Sequence, residues 1–288
     1  MMFKSMRELV EAAVKEGKSI GEIVLENECK VSGRSRDEAW NDMVERWRIM
    51  KESIEHGVKG EFRIPYDIVP RYGPKLHSHN WRFLSGVVGR AVARAFAVSE
   101  YNAAMGKICA APTAGAAGVL PAVLSSIQEE RRYSDNEIVL SLFTAGGIGL
   151  VIANRATLSG ADAGCQAEIG SAAAMAAGAL VELEGGTPYM VEHAVAIAFK
   201  SIMGMICDPI AGLVISPCIK RNACGVVIAF LAADLALAGV ESIVPADEVI
   251  DAMHDSGKMM PEALRETGEG GIAATPTGEK IREKIMKG

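Results

Sequence analysis

An all-α fold, a compact multi-helix bundle with little or no sheet, is what this chain of 288 residues predicts. Three observations carry that expectation. Apolar residues make up 49% of the chain and aromatic ones only 5%, so the core material is Ala, Val, Ile, Leu and Met, which suits closely packed helices. Between Ala161 and Leu180, 12 of 20 residues are Ala or Gly, small enough for helix backbones to approach closely. β-Branched alternation is scarce, and only Ile138-Val139-Leu140 and Val226-Val227-Ile228 read ambiguously between strand and helix.

Taken in order, the opening MMFKSMRELVEAAVKEGKS has the periodicity of an amphipathic helix and lacks the unbroken apolar run of a signal peptide. Ile20, Ile23, Val24 and Glu26 continue a helical pattern. Asp37 to Ile54 gives another, with Ser32 or Ser35 as its cap. Residues 61–80 hold Pro65, Pro70, Gly73, Pro74 and two histidines, and read as a connecting loop. From Phe83 to about Val244 the chain turns small and apolar. Residues 245–288 return to charged helices, broken by the run ETGEGGIAATPTG. This divides the chain into an N-terminal helical region with its loop (1–75) and a helical domain that carries the chemistry-bearing motifs (76–288), or makes it one continuous domain.

Bulk properties exclude several function classes. The net charge of −6 argues against nucleic acid or an anionic membrane as partner, and the pairs Arg131-Arg132 and Lys220-Arg221 read as solvated. The most apolar run, Cys224 to Val240, contains Asp234 and is shorter than the roughly 20 residues of a membrane span, so no span is expected. Six cysteines without a secretory signal fit a reducing cytoplasm, as free thiols or metal ligands.

Cys165, Cys207 and Cys218 stand apart from the other cysteines. Gly164 precedes the first, Asp208-Pro209 follows the second, and Pro217 precedes the third. Gly and Pro mark turns and helix ends, where free backbone N–H groups favour the thiolate. Soft thiolates suit iron–sulfur clusters or zinc. The spacing alone matches no short metal signature, so cluster, zinc and buried thiols stay open. Cys29 and Cys224 read as core thiols.

A second constellation is NAAMGKICAAPTAGAAGVLP, residues 102–121. Pro112-Thr113-Ala114-Gly115 reads as a turn that opens a helix, with backbone N–H groups and the Thr113 hydroxyl available to a small carboxylate. Ser85, Gly86 and Asn102 are further candidates for polar contacts or close backbone approach to a substrate, as is Gly146-Gly147. His77 and His79, in KLHSHN, are the one close histidine pair and weak candidates for a base; a solvated loop is the reading preferred for them. No lysine motif with a matching Gly-rich phosphate loop suggests pyridoxal phosphate, and Lys107 and Lys220 read as surface charges.

Four ordered runs resemble one family: NAAMGKICAAPTAGAAGVLP, SGADAGCQAEIGSAAAMAAGALVE, CDPIAGLVISPCIKRNA and ALRETGEGGIAATPTG. Together they are similar to the α subunit of two-chain, iron–sulfur-dependent L-serine dehydratase (L-serine ammonia-lyase). The resemblance spans nearly the whole chain and is strongest from about residue 83 to 278. It implies a [4Fe–4S] cluster on Cys165, Cys207 and Cys218, with the fourth iron left for substrate. It also implies conversion of L-serine to pyruvate and ammonia, and a β subunit that supplies the base.

Two departures from longer relatives follow from the same resemblance. Some of those end in a cysteine that reaches back to the cluster, whereas this chain ends Ile285-Met286-Lys287-Gly288. Cys109 is then a candidate fourth thiol, with packing as its plainer role. The segment RYGPKLHSHNWRF, residues 71–83, also differs from the family pattern. Alternatives within reach of the same residues are an iron–sulfur L-cysteine desulfidase and a non-enzymatic iron–sulfur protein.

Overall fold

The computed structural model describes residues 3–84 and 86–287, and among them there is no strand. Thirteen α-helices account for the architecture. They are α1 (Met6–Glu16), α2 (Ile20–Ser32), α3 (Arg36–Lys59), α4 (Gly73–His77), α5 (Gly86–Ala103), α6 (Val119–Arg131), α7 (Asp135–Arg155), α8 (Gly160–Ala163), α9 (Cys165–Leu183), α10 (Pro188–Ile202), α11 (Cys218–Leu237), α12 (Ala246–Lys258) and α13 (Pro276–Lys287). Both ambiguous runs are helical: Ile138-Val139-Leu140 lies in α7 and Val226-Val227-Ile228 in α11. Tertiary burial decides such short apolar runs, because their periodicity fits either state.

The axle of the bundle is α9. It is buried along almost its whole length and packs against α6, α7, α10, α11 and α12. Its small residues permit this. A Cβ on Gly178 would lie 2.2 Å from Ile148 Cδ1 of α7, and one on Gly225 of α11 would lie 2.9 Å from Ile169 Cγ2 of α9. Phe199 of α10 fills the space left beside α9 and is fully buried, worth about 1.5–3 kcal/mol in apolar transfer.

Helices α1 to α3 wrap this core. Ser19 and Ser35 close capping boxes with Glu22 and Glu38, so Ser35 rather than Ser32 starts α3. Trp47 is 1% exposed and its indole Nε1 donates to Asp135 Oδ1 at the start of α7 (3.0 Å). The stretch expected as a plain loop, residues 61–80, contains the short helix α4 and a 3₁₀ turn at Pro65–Asp67. Proline is accepted in a first helical turn, where its missing N–H costs nothing. Buried Glu100 of α5 holds α4 in place by accepting from Tyr72 N (2.6 Å) and Gly73 N (2.9 Å).

By length and composition α7 would cross a membrane, yet 67% of its apolar window is buried among its neighbours. A core helix passes the same test.

Candidate functional site

Two helix N-termini and two loops meet at one place. Cys165 is the first residue of α9 and Cys218 the first of α11. Both thiols therefore sit where unpaired N–H groups and the helix dipole favour negative charge. The turn into α9 needs Gly164, whose φ is 77° and where a Cβ would lie 2.7 Å from Met205 O. Gln166 fixes that turn: its amide donates to Met253 O, and its carbonyl accepts from Gly204 N (2.8 Å).

Cys207 lies in the loop before α11, held by the C-terminal segment. Cys207 N donates to Leu264 O (2.8 Å) and Glu266 N donates to Cys207 O (2.6 Å), forming an isolated parallel bridge with Arg265. Next to it, Asp208 is 1% exposed; its Oδ2 accepts from Ile272 N (2.7 Å). The run ETGEGGIAATPTG thus forms the wall behind Cys207 and Asp208.

Cys165, Glu168 and Cys207 place one ligand atom each within 4.8 Å of one another, a group able to hold a metal ion. Cys218 is outside that close group. All three cysteines are buried free thiols. A hydrogen bond from Cys207, together with the nearby Arg221 charge, holds the Cys165 thiol below its ordinary range despite burial. The same hydrogen bond and burial push Cys207 far up. Burial and the Cys165 charge push Cys218 up to about 12. In the protein alone, ionisation is therefore favoured at Cys165 over Cys207.

Arg221 is the cation at this site. Its Nη1 donates to Cys165 Sγ (3.5 Å) and Ile206 O (3.0 Å). Its Nη2 lies 2.7 Å from Asp208 Oδ1, a contact made by charge, since that oxygen has no well-aligned hydrogen-bond donor. The basic pair expected to be solvated is split. Lys220 is exposed, whereas Arg221, one residue on around α11, turns inward.

The turn expected to bind a carboxylate closes over α9. Thr113 Oγ1 donates to Glu168 Oε1 (2.9 Å). Asn102 Nδ2 donates to Ala114 O (3.0 Å), and Asn222 Nδ2 to Gly115 O (2.7 Å). Thr113 and Gly115 thus meet Glu168, with Pro112 and Ala114 in the same turn and Asn102 adjoining it. Gly86 begins α5 in an exposed left-handed conformation, and Ser85 lies outside the described residues. His77 and His79 are exposed; His79 packs edge-on against Trp81 at 5.2 Å, and neither joins the metal-competent group. Cys29 and Cys109 are half-buried, while Cys224 is exposed, contrary to its reading as a core thiol. It lies six residues beyond Cys218, off the inward face of α11.

The donor set fits a thiolate-bound metal centre. Three buried thiols with a single neighbouring cation need further positive charge before all can ionise. The space beside them is kept clear: a Cβ on Gly160 would lie 3.1 Å from Cys207 Sγ and 2.9 Å from Glu168 Oε2.

An all-α chain with thiols at helix N-termini around a buried carboxylate defines a class, a helical protein with a metal-competent thiol centre. Comparison with known proteins narrows it. The family profile of the serine dehydratase alpha chain matches residues 15–273. The chain is 44% identical over 290 aligned residues to the probable L-serine dehydratase, alpha chain, of Bacillus subtilis (strain 168), covering 100% of this chain and 96% of that one. It is 43% identical to the L-serine dehydratase, alpha chain, of Peptoniphilus asaccharolyticus, covering 99% of each. It is 38% identical to L-serine dehydratase TdcG of Escherichia coli (strain K12), covering 94% of this chain and 61% of that longer one. The chain belongs to the serine dehydratase alpha chain family.

Proposed function

We propose that this chain is the α subunit of an L-serine dehydratase that converts L-serine to pyruvate and ammonia, with Cys165, Cys207 and Cys218 as ligands of a [4Fe–4S] cluster. The observation that carries the reading is the convergence of Cys165, Cys207 and Glu168 with the Pro112–Gly115 turn, in a chain that shares near-complete coverage with relatives named for this activity.

When bound, a cluster held by three thiolates supplies an iron with Lewis acidity toward a substrate hydroxyl. The chain's own residues do the rest of the positioning. The backbone N–H groups of Thr113, Ala114 and Gly115 are the donors offered to a substrate carboxylate, while the Thr113 hydroxyl proton is committed to Glu168. Arg221 offsets thiolate charge, and its pairing with Asp208 keeps it there. The Leu264–Glu266 strap brackets Cys207 through its backbone hydrogen bonds, and the Gly271–Ala274 turn closes over the neighbouring Asp208. Loss of water from serine leaves 2-aminoacrylate, whose tautomerisation and hydrolysis give pyruvate and ammonia.

The base that removes the α-proton comes from a partner β chain. The exposed His77 and His79 stand apart from the thiol site, and the names of the two-chain relatives imply a second subunit. The working compartment is the reducing cytoplasm.

The test is anaerobic turnover of L-serine, L-threonine and L-cysteine by the purified chain, alone and with its partner. Serine turnover that appears only with the partner supports the reading. Full turnover by the chain alone removes the β-chain base, and sulfide release from cysteine with inert serine removes the serine reaction.

A further inference from the structure

Glu168 is a carboxylate with no cation of its own. It is mostly buried one helical turn beyond Cys165, and burial holds its carboxyl above the ordinary value. Its charged neighbour is another carboxylate, Glu266, which raises it further. Among the described residues no Lys, Arg or His pairs with it, and the nearby Arg221 is committed to Asp208. Its two oxygens are treated differently. Thr113 Oγ1 ties Oε1 at 2.9 Å, fixing the group in one orientation. Among the described residues Oε2 has no protein donor, and it lies against Gly160 and Gly115, where added Cβ atoms would sit 2.9 and 3.3 Å from it. Its ligand atom lies within 4.8 Å of those of Cys165 and Cys207.

A partly buried carboxyl group held in a fixed pose by Thr113, with one oxygen left without a protein donor and glycines on both sides, is a receptor for a small cation, whose charge favours the carboxylate form. An α-amino acid carries one such group. Its carboxylate has the Thr113 turn and its hydroxyl the metal centre, which leaves the ammonium to be satisfied. Asp208 is unavailable, since its two oxygens face Ile272 N and Arg221. We propose that Glu168 Oε2 receives the α-ammonium group of the substrate and so selects amino acids over hydroxy acids. This inference rests on the serine reading of the site given above.

The experiment compares L-serine with 3-hydroxypropionate, which keeps the carboxylate and the hydroxyl and lacks the ammonium. The anaerobic complex of the chain with its partner is used as wild type, Glu168→Gln, Glu168→Asp and Glu266→Gln. Serine KM is measured, binding of 3-hydroxypropionate is followed by the visible absorption of the iron–sulfur chromophore, and iron and sulfide are counted. A charge-assisted hydrogen bond to the ammonium predicts that Glu168→Gln raises serine KM by about tenfold to a hundredfold. Binding of 3-hydroxypropionate should change by less than about threefold, with iron unchanged. Glu168→Asp keeps the charge and should keep part of the preference.

Equal losses for both ligands, or loss of iron in both Glu168 variants, would overturn the inference and make Glu168 a structural residue or a metal ligand. A preference that collapses in Glu266→Gln and survives in Glu168→Gln would also overturn it. Wild type that binds no iron or leaves serine unchanged contradicts the serine reading itself, a result separable from any effect of the variants.

Discussion

Arg221 reaches from the Cys165 thiol, 3.5 Å from its Nη1, to the buried carboxylate of Asp208, 2.7 Å from its Nη2. One guanidinium thus ties the helix that carries Cys218 to the thiol that starts α9 and to the loop that carries Cys207. The pair is enclosed, with side-chain exposures of 15% and 1%.

Removing one member of such a pair leaves the other buried and uncompensated. Arg221→Met is expected to destabilise the apo chain by about 3–5 kcal/mol, read as a lower urea midpoint. The double variant Arg221→Met/Asp208→Leu should recover part of that loss. No recovery would show that the two side chains act independently.

Gly160 offers a sharper probe of the thiol site than the cysteines do. A Cβ there meets both Glu168 Oε2 and Cys207 Sγ. Gly160→Ala is expected to lower iron per chain after anaerobic reconstitution while costing the apo chain only about 1–3 kcal/mol, the usual penalty of overpacking. Full iron loading in this variant would show that the space beside Cys207 is not used.

The C-terminal wall is tested at Gly271. Its φ is 58°, and a Cβ would lie 2.3 Å from Asp208 Oδ2. Gly271→Ala should detach the Gly271–Ala274 turn from Asp208 and loosen the adjoining Leu264–Glu266 strap, exposing Cys207 to alkylation by iodoacetamide in the apo chain. Protection equal to wild type would contradict that role for the strap.

Glu182 gives a pH signature away from the site. Burial raises its carboxyl above the ordinary value, against hydrogen bonds from Thr144, Gly21 and Ile20. A raised folded value means that the stability contributed by the protonated group is complete below the unfolded value of about 4.3 and is lost as pH rises through the folded one. Urea unfolding of wild type and Glu182→Gln from about pH 4 to 7 should show the difference shifting in favour of the variant as pH rises. A pH-independent difference would contradict the raised value.

Much of the fold was legible from the chain alone, because it depends on local signals. Ser32 or Ser35 reads as a helix cap, and the small residues of 161–180 read as close helix packing; the structure has Ser35 capping α3 and the small residues in α9. The Pro112–Gly115 turn was also legible from its residues. Glu168 and Arg221 were missed, although each lies three residues after a cysteine that opens a helix and so shares its face. That i,i+3 spacing was the available signal. Composition hid it: Arg221 reads as half of a basic pair, and Glu168 as one acidic residue in an Ala-rich helix. Asp208 and the ETGEGG strap depend on contacts across more than 50 residues, which periodicity does not report.

Ligation of a [4Fe–4S] cluster by Cys165, Cys207 and Cys218 is measured most directly as iron and acid-labile sulfide in the anaerobically purified chain and in Cys165→Ala, Cys207→Ala, Cys218→Ala and Cys224→Ala. About four irons per chain are expected in wild type and in the Cys224 variant, with loss of them in each of the other three. A metal content indifferent to Cys165, Cys207 and Cys218 would contradict it.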